Sequence, residues 1–236
     1  MGELSRGGGL DVGRDPLAEA SVSVVLPCHD EELNLPLVLD RLPDGLHEVI
    51  VVDSNCTDRT VEVARESRPD VVVVRAEGRG KGRALLAGFG AATGDVIVAM
   101  DADGSNDPRE IAGLVGAVLC GADLAKGSRY LPGGGSDDNT RLRDLGNRIL
   151  CSVFNRRHGA SYTDLCYGYM AFRADHRGVL SPDCEGFEVE AELNRRACAA
   201  GLKVTELPSH EADRVHGESN LHPVRDGVRI LRAILR

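Results

Sequence analysis

Apolar positions along the chain follow two rhythms. Short unbroken runs rich in valine and isoleucine read as buried strands: SVSVVLP from Ser21, HEVIVVD from His47, DVVVVRA from Asp70 and DVIVAMD from Asp95. The first of these reads as stopping at Pro27. Between them lie stretches with helical spacing: LNLPLVLDRL, then TDRTVEVARES with a capping threonine or aspartate, then the small-residue segment GKGRALLAGFGAA. After the fourth run, DPREIAGLVGAVL predicts a helix with Asp107 as N-cap, Pro108 at the first position and Glu110 at the third.

The second half is less regular. RLRDLGNRILCSVFNRR predicts a basic amphipathic helix, DLCYGYMAFR a strand, FEVEAELNRRACAAG a helix, LKVTELP a strand and RDGVRILRAILR a last amphipathic helix. The stretch PGGGSDDN, residues 132–139, reads as a loop. Strands alternating with helices imply a single α/β domain with a mostly parallel central sheet flanked by helices. The expected organisation is a flexible leader over residues 1–20, the domain over 21–222 and the amphipathic helix over 223–236.

Composition narrows the function. The net charge is −9, which removes any general pull on nucleic acid or anionic lipid and leaves only a local basic site for such partners. Aromatic residues make up 3% and tryptophan is absent, so a base-stacking surface is not expected. Seven scattered cysteines with no CxxC pair fit reduced thiols in a cytoplasmic protein. No run approaches the ~20 apolar residues of a membrane span, and the first residues lack an apolar signal core.

In a parallel sheet, ligands gather beyond the carboxyl ends of the strands. Pro27, Asp53 and Asp101 each stand at such an end, so PCHDEE, DSNCTDRT and DADGS should share one crevice. In DADGS, the Asp101 and Asp103 carboxylates repel each other unless a cation lies between them. A hard divalent ion, Mg²⁺ or Mn²⁺, is held in this way by one or two carboxylates together with substrate phosphates. Asp30, Glu31 and Glu32 suit a helix entrance and are also placed to accept hydrogen bonds from a base or ribose. Asp58 reads as a cap, whereas Asp53 has no capping duty. In EGRGKGRALLAG, backbone N–H groups and Lys81 are candidates to cradle phosphate, although the spacing is not that of a Walker A loop.

Taken in order, PCHDEE, VDSNCTDRT, GKGRA and DADGS resemble glycosyltransferase family 2, whose members have the Rossmann-like GT-A fold. The resemblance runs over roughly residues 21–220. GSRYLPGG, TDLCYGYMAFR and EADRVHGESN are similar to segments of polyprenyl-phosphate sugar synthases of the dolichol-phosphate mannose type, with Asn220 in place of a lysine. This implies an inverting, metal-dependent transferase taking a sugar from a UDP- or GDP-sugar. The resemblance implies a nucleotide pocket lined by Pro27, Glu31 and Asp53, with Lys81 beside it. Asp101 and Asp103 would bind Mg²⁺ or Mn²⁺ and the donor diphosphate. Arg129, Arg214 and Ser219 would contact phosphates of donor or acceptor, and Asp164 would face the acceptor and the sugar.

Two departures bear on this. Such synthases often carry glutamine where this chain has Ser105, a poorer metal ligand. They also often carry membrane helices or a hydrophobic surface helix. Here only VRILRAILR offers a peripheral membrane contact, at the inner membrane face, although an amphipathic helix more usually packs on its own domain.

A hydroxyl acceptor needs a general base, with Asp164, Glu188 and Glu190 as candidates; a phosphate acceptor needs none. Glu188 and Glu190, two residues apart on a helix, face different ways. His216 is a candidate to reach the metal or, more simply, to cap the donor. The glycines around 132–135 (Gly133, Gly134 and Gly135) and Gly217 mark loops suited to closing over it. The acceptor is a polyprenyl phosphate or, alternatively, a soluble small molecule or peptide. A non-catalytic nucleotide-binding module is the reading from another class, opposed by the intact Asp101 and Asp103.

Overall fold

The computed structural model describes residues 15–217 and 223–236. In chain order the elements are α1 (Pro16–Glu19), β1 (Val22–Cys28), α2 (Leu35–Arg41), β2 (Glu48–Asp53), α3 (Thr60–Ser67), β3 (Val72–Arg75), α4 (Lys81–Ala91) and β4 (Val96–Ala99). A 3₁₀ turn (Pro108–Glu110) then leads into α5 (Ile111–Leu119), β5 (Leu124–Ser128), β6 (Gly135–Ser136), α6 (Arg141–His158) and β7 (Met170–Arg173). The last elements are α7 (Val189–Ala199), β8 (Val204–Pro208), β9 (His210–Glu211) and α8 (Pro223–Leu235).

Seven strands form one sheet in the order β3-β2-β1-β4-β7-β5-β8. β7 alone runs against the rest, paired antiparallel to β4 on one side and β5 on the other. The remaining pairs are parallel, so β1, β2, β4, β5 and β8 all end on one edge of the sheet. This is the mostly parallel α/β domain that the alternation of patterns predicts.

Period-two alternation in the strands divides the core. Val24 and Leu26 face α2 and α5 through Leu35, Val38, Leu114 and Val115. Val25, Ile50 and Val52 face Leu85 and Phe89 of α4 and Leu193 of α7. A third cluster joins α6, α7 and α8 through Phe154, Cys151, Ala191, Ile230 and Ile234. Ile230, Ala233 and Ile234 of α8 are thus buried on the domain, while Val228 and Leu235 stay exposed. Among the described residues, no helix is long and apolar enough to cross a membrane.

Several local expectations need correction. β1 continues through Pro27 to Cys28, because its ladder to β4 ends at Val25 and the missing N–H of proline removes no bond on that side. Residues 16–19 of the expected leader form α1, with Leu17 buried; residues 1–14 lie outside the described residues. Only the last four residues of DLCYGYMAFR form a strand. β5, which passes through the fully buried Lys126, has no counterpart in the sequence reading. Within PGGGSDDN, Gly135 and Ser136 pair with His210 and Glu211 as a short parallel ribbon. Asp107 caps its turn as predicted, but Glu110 reaches away to Ser209 Oγ and the His210 N–H instead of completing a capping box.

Candidate active site

The loops beyond the common strand edge converge on three cations, each held by two carboxylates. Lys81, the first residue of α4, places Nζ 2.6 Å from Asp101 Oδ1 and 2.9 Å from Glu190 Oε1. Arg214 spans Glu31 Oε1 at 2.9 Å and Asp103 Oδ2 at 3.2 Å. Arg129 grips Asp164 with Nε and NH2, at 2.7 and 3.0 Å, and Glu211 Oε2 with NH1 at 2.9 Å. Six carboxylates on three cations leave the crevice rich in negative charge.

The DAD turn follows β4. Asn106 fixes its entrance by accepting from the Asp101 N–H at 2.8 Å, and Asn106 in turn donates to Tyr167 Oη. Ser105 donates both N–H and Oγ–H to Asp103 Oδ1, so it aims this carboxylate. Burial alone would raise the Asp103 carboxyl; the Ser105 hydrogen bonds and the charges of Arg214 and Lys81 outweigh it and hold the group below the ordinary aspartate range. Asp101 Oδ2 has no hydrogen-bond partner among the described residues. Two strand-end carboxylates with a free oxygen suit a divalent ion that takes its remaining ligands from a diphosphate and water, better than a closed protein cage.

Lys81 is buried, which would lower its pKa, but Asp101 and Glu190 more than compensate and keep it protonated. Glu190 is 3% exposed; burial raises its carboxyl, opposed by Lys81. A Cβ on Gly168 would lie 2.7 Å from Lys81 Nζ and 3.0 Å from Glu190 Oε1, so this pair needs glycine there. Glu188 turns elsewhere, as the two-residue spacing requires, toward a separate surface cleft lined by Arg79, Glu185, Arg229 and Arg236. Its Oε2 is buried without a hydrogen-bond partner among the described residues.

Three further expectations are corrected by the geometry. The N-terminus of α4 does not cradle phosphate: the Gly82 N–H donates to Glu185 O, and the Cys184 carbonyl leaves no room even for a Cβ on Gly82. From that loop the Lys81 side chain reaches the crevice. Asp164 does not face an acceptor. It is fully buried beneath Arg129, and its oxygens also accept from the Arg129 and Cys166 N–H groups. Burial would raise it; the Arg129 guanidinium prevails and keeps it ionised, so it is a counterion and not a base. Asp53 does have local work, with Oδ1 accepting from the Cys56 N–H at 2.7 Å.

Pro27 lies in the β1 register opposite Val52, one residue before the strand end. Glu31, 6% exposed, sits at the α2 entrance, and Asn34 Nδ2 donates to it. Asn34 also clasps the backbone of His216 in both directions, at 2.9 and 3.1 Å. With Ala212 N–H on Ser105 O and Val215 N–H on Asp103 O, the segment 212–216 lies across the DAD turn. His216 is held by its backbone while its side chain is exposed. Ser219 lies outside the described residues. Asp58 caps α3 through the Thr60 N–H, as expected. Asp30, Cys56 and Asp58 offer ligand atoms within 4.8 Å of one another. Burial raises the Cys56 thiol, and hydrogen bonds from Thr57, Thr60 and Glu32 already occupy the two carboxylates.

Sequence reasoning missed the braces behind these groups. Glu206 on β8 accepts from Thr163 N–H and Oγ–H and from Asp164 N–H, while Lys126 Nζ donates to Asp164 O at 2.5 Å. The lone buried-looking lysine in DLAKGSRY was the available signal.

The family model described as "Glycosyl transferase family 2" matches residues 23–178. The chain is 35% identical to a polyprenol monophosphomannose synthase of Mycolicibacterium smegmatis, over 93% of this chain and 88% of that one. It is 34% identical to an undecaprenyl-phosphate mannosyltransferase of Micrococcus luteus, covering 85% and 87%. Among solved structures it resembles a glucosyl-3-phosphoglycerate synthase from Mycobacterium tuberculosis bound to Mn²⁺, UDP and glucosyl-3-phosphoglycerate. That match has a TM-score of 0.74 and 26% identity, covering 98% of this chain and 85% of that one.

Proposed function

The chain belongs to glycosyl transferase family 2, and from that premise we propose that it transfers a sugar, with inversion, from a nucleotide diphosphate to a polyprenyl phosphate. The observation that carries this is the acid-rich crevice around Asp101 and Asp103, with Lys81 and Arg214 already on their outer oxygens. A donor diphosphate adds negative charge to a crevice that holds an excess of it, so a cation must enter with it. Asp101 and Asp103 would hold Mg²⁺ or Mn²⁺, which neutralises charge on the departing diphosphate.

The chain's own groups do the rest. Lys81 and Arg214 would stand beside the same phosphates and supply positive charge where the leaving group develops negative charge. Segment 212–216, clasped by Asn34, covers the DAD turn and keeps water from the donor. Glu31, at the entrance of α2, and Asp53, at the end of β2, would line the nucleotide side. An acceptor phosphate oxygen attacks the anomeric carbon while the bond to the diphosphate breaks, and the nucleoside diphosphate leaves with the electron pair. That oxygen is already ionised, so no base is required. This agrees with Asp164 and Glu190 being tied to Arg129 and Lys81.

The lipid-phosphate acceptor is supported by the two relatives at 35% and 34% identity. A second reading, a soluble phosphorylated acceptor, is favoured by the mycobacterial structure with its phosphoglycerate product. Thermal unfolding with UDP- and GDP-sugars, with and without Mn²⁺, tests donor use. A ligand at 100 times its Kd stabilises by ~2.7 kcal/mol. Stabilisation that needs the metal and is lost in Asp103→Asn supports the proposal; no shift with any donor overturns it. Transfer onto undecaprenyl phosphate or onto 3-phosphoglycerate then separates the two acceptors. Where this chemistry takes place follows from the acceptor, and the cytoplasmic side is our proposal for it.

A further inference from the structure

Glu110 gives up a helix cap for a longer reach. Its carboxylate accepts from Ser209 Oγ and, at 3.1 Å, from the His210 N–H. A chain of buried groups begins there. Ser209 Oγ lies 3.0 Å from Tyr167 Oη, and Asn106 Nδ2 donates to the same Tyr167 Oη at 2.9 Å. At the far end, Asn106 Oδ1 accepts from the Asp101 N–H at 2.8 Å. Ser209, Tyr167 and Asn106 are each 2% exposed, so water is a poor substitute for any partner lost from the chain.

The chain has one direction. The single hydroxyl proton of Ser209 goes to Glu110, so the bond between Ser209 and Tyr167 takes its proton from the tyrosine. Tyr167 Oη is then left to accept, and it meets the NH2 of Asn106. That turns Asn106 Oδ1 toward Asp101. A flipped Asn106 would set its Nδ2 against the Asp101 N–H, donor against donor. Bonds aligned in this way polarise one another, and the Glu110 carboxylate anchors the series. The tyrosine ring is held as well. Gly127 leaves room for it, since a Cβ there would lie 2.7 Å from Tyr167 Cε1, and the Arg129 guanidinium covers its face 5.0 Å from the ring centroid.

We propose that Tyr167 and Glu110 are positioning residues for the DAD turn. Through Ser209 and Asn106 they hold the Asp101 backbone, and with it the carboxylate pair, in the arrangement that receives a divalent ion. That Asp101 and Asp103 hold such an ion rests on the function proposed above; the hydrogen-bonded chain does not.

Two readouts on the full chain test this. The first is amide hydrogen exchange without ligand in Tyr167→Phe and Glu110→Gln. Each variant should speed exchange at the Asp101 amide by about tenfold, while the amides of β4 keep the wild-type rate. A change that merely loosened the core would speed both. The second is affinity for Mn²⁺ in the presence of UDP and of GDP, read from the electron paramagnetic resonance of the free ion. Each variant should bind the ion about fivefold more weakly. The double variant should bind it no more weakly than Tyr167→Phe alone, because either change breaks the same chain. Unchanged exchange at Asp101, acceleration shared equally by β4, wild-type Mn²⁺ affinity in both variants, or losses that add in the double variant would each overturn the proposal. A wild-type chain that takes up no Mn²⁺ with either nucleotide overturns the donor reading instead, and the exchange experiment still decides the role of Tyr167 and Glu110 in holding the turn.

Discussion

The most exposed weakness of the site is a buried lysine that touches no substrate. Lys126 is fully buried, with Nζ 2.5 Å from Asp164 O, 3.4 Å from Gly127 O and 3.8 Å from Glu206 Oε1. Replacing it by methionine keeps most of the volume and removes the charge. Glu206, whose side chain is 11% exposed, then keeps three neutral donors but loses the cation paired with it among the described residues, and Asp164 O loses its donor. Breaking a buried pair from one side costs about 3–5 kcal/mol. A domain usually holds ~5–15 kcal/mol in total, so Lys126→Met should move the urea midpoint substantially. The double variant Lys126→Met/Glu206→Gln removes both charges and should recover at least about half of the loss. A single-variant loss below ~1 kcal/mol, or a double variant no better than the single, would refute the reasoning.

Other consequences are equally direct. Lys81→Met leaves Asp101 and Glu190 facing each other without their cation, and metal-dependent release of nucleoside diphosphate from a donor should fall ~10²-fold or more; a rate within fivefold of wild type, set against that estimate, would contradict the assigned role. Arg214→Ala removes both ion pairs that tie segment 212–216 to the crevice, so hydrogen exchange at the Ala212 and Val215 amides should speed up, and unchanged exchange would place the clasp elsewhere. Burial would raise Glu192, but hydrogen bonds from Cys184, Asp183 and Arg196 hold it down at about 2 against an ordinary 4.5. A depressed carboxyl contributes stability above its unfolded pKa and loses it on acidification, so ~2–3 kcal/mol should disappear between about pH 4.5 and pH 2. Glu192→Gln should be less stable at neutral pH by a similar amount and show a flatter acid limb; an unchanged acid limb in a denaturation series would count against it.

The first half of the fold is legible because its strands are buried on both faces and read as unbroken valine runs, and the helices between them carry caps and spacing. The second half hides its strands for physical reasons. β5 is LAKGS, in which a charged residue and a glycine interrupt the apolar run, and the lysine is tolerated only because Glu206 and the Asp164 carbonyl await it across the sheet. β7 is four residues long because it is an antiparallel insert between β4 and β5, and TDLCYGY before it is committed to holding Arg129. In the site, Asp101, Asp103, Glu31 and Lys81 could be picked out because strand ends and helix starts project into one crevice. Asp164 was misread because sequence shows that a carboxylate is near the acceptor segment, not that an arginine already fills its hydrogen bonds. The same limit applies to Gly82, whose N–H reads as free until the 184–186 turn is folded against it.

The shared carboxylates suggest why the crevice is built with paired charges and not with free ones. A lone carboxylate pair at a strand end would repel itself and a lone lysine would be costly to bury. Joining Asp101 to Glu190 through Lys81, and Asp103 to Glu31 through Arg214, lets each helix start and strand end fold without the ligand. Yet the set is not neutral, because each cation answers two carboxylates. A divalent ion held by Asp101 and Asp103 with a donor diphosphate would complete that balance. Arg214 would then be placed to add charge to the donor phosphates without leaving the crevice, since Val215 and His216 are tied to Asp103 O and Asn34 through their backbone. On the proposed function, folding and donor binding would draw on the same arginine.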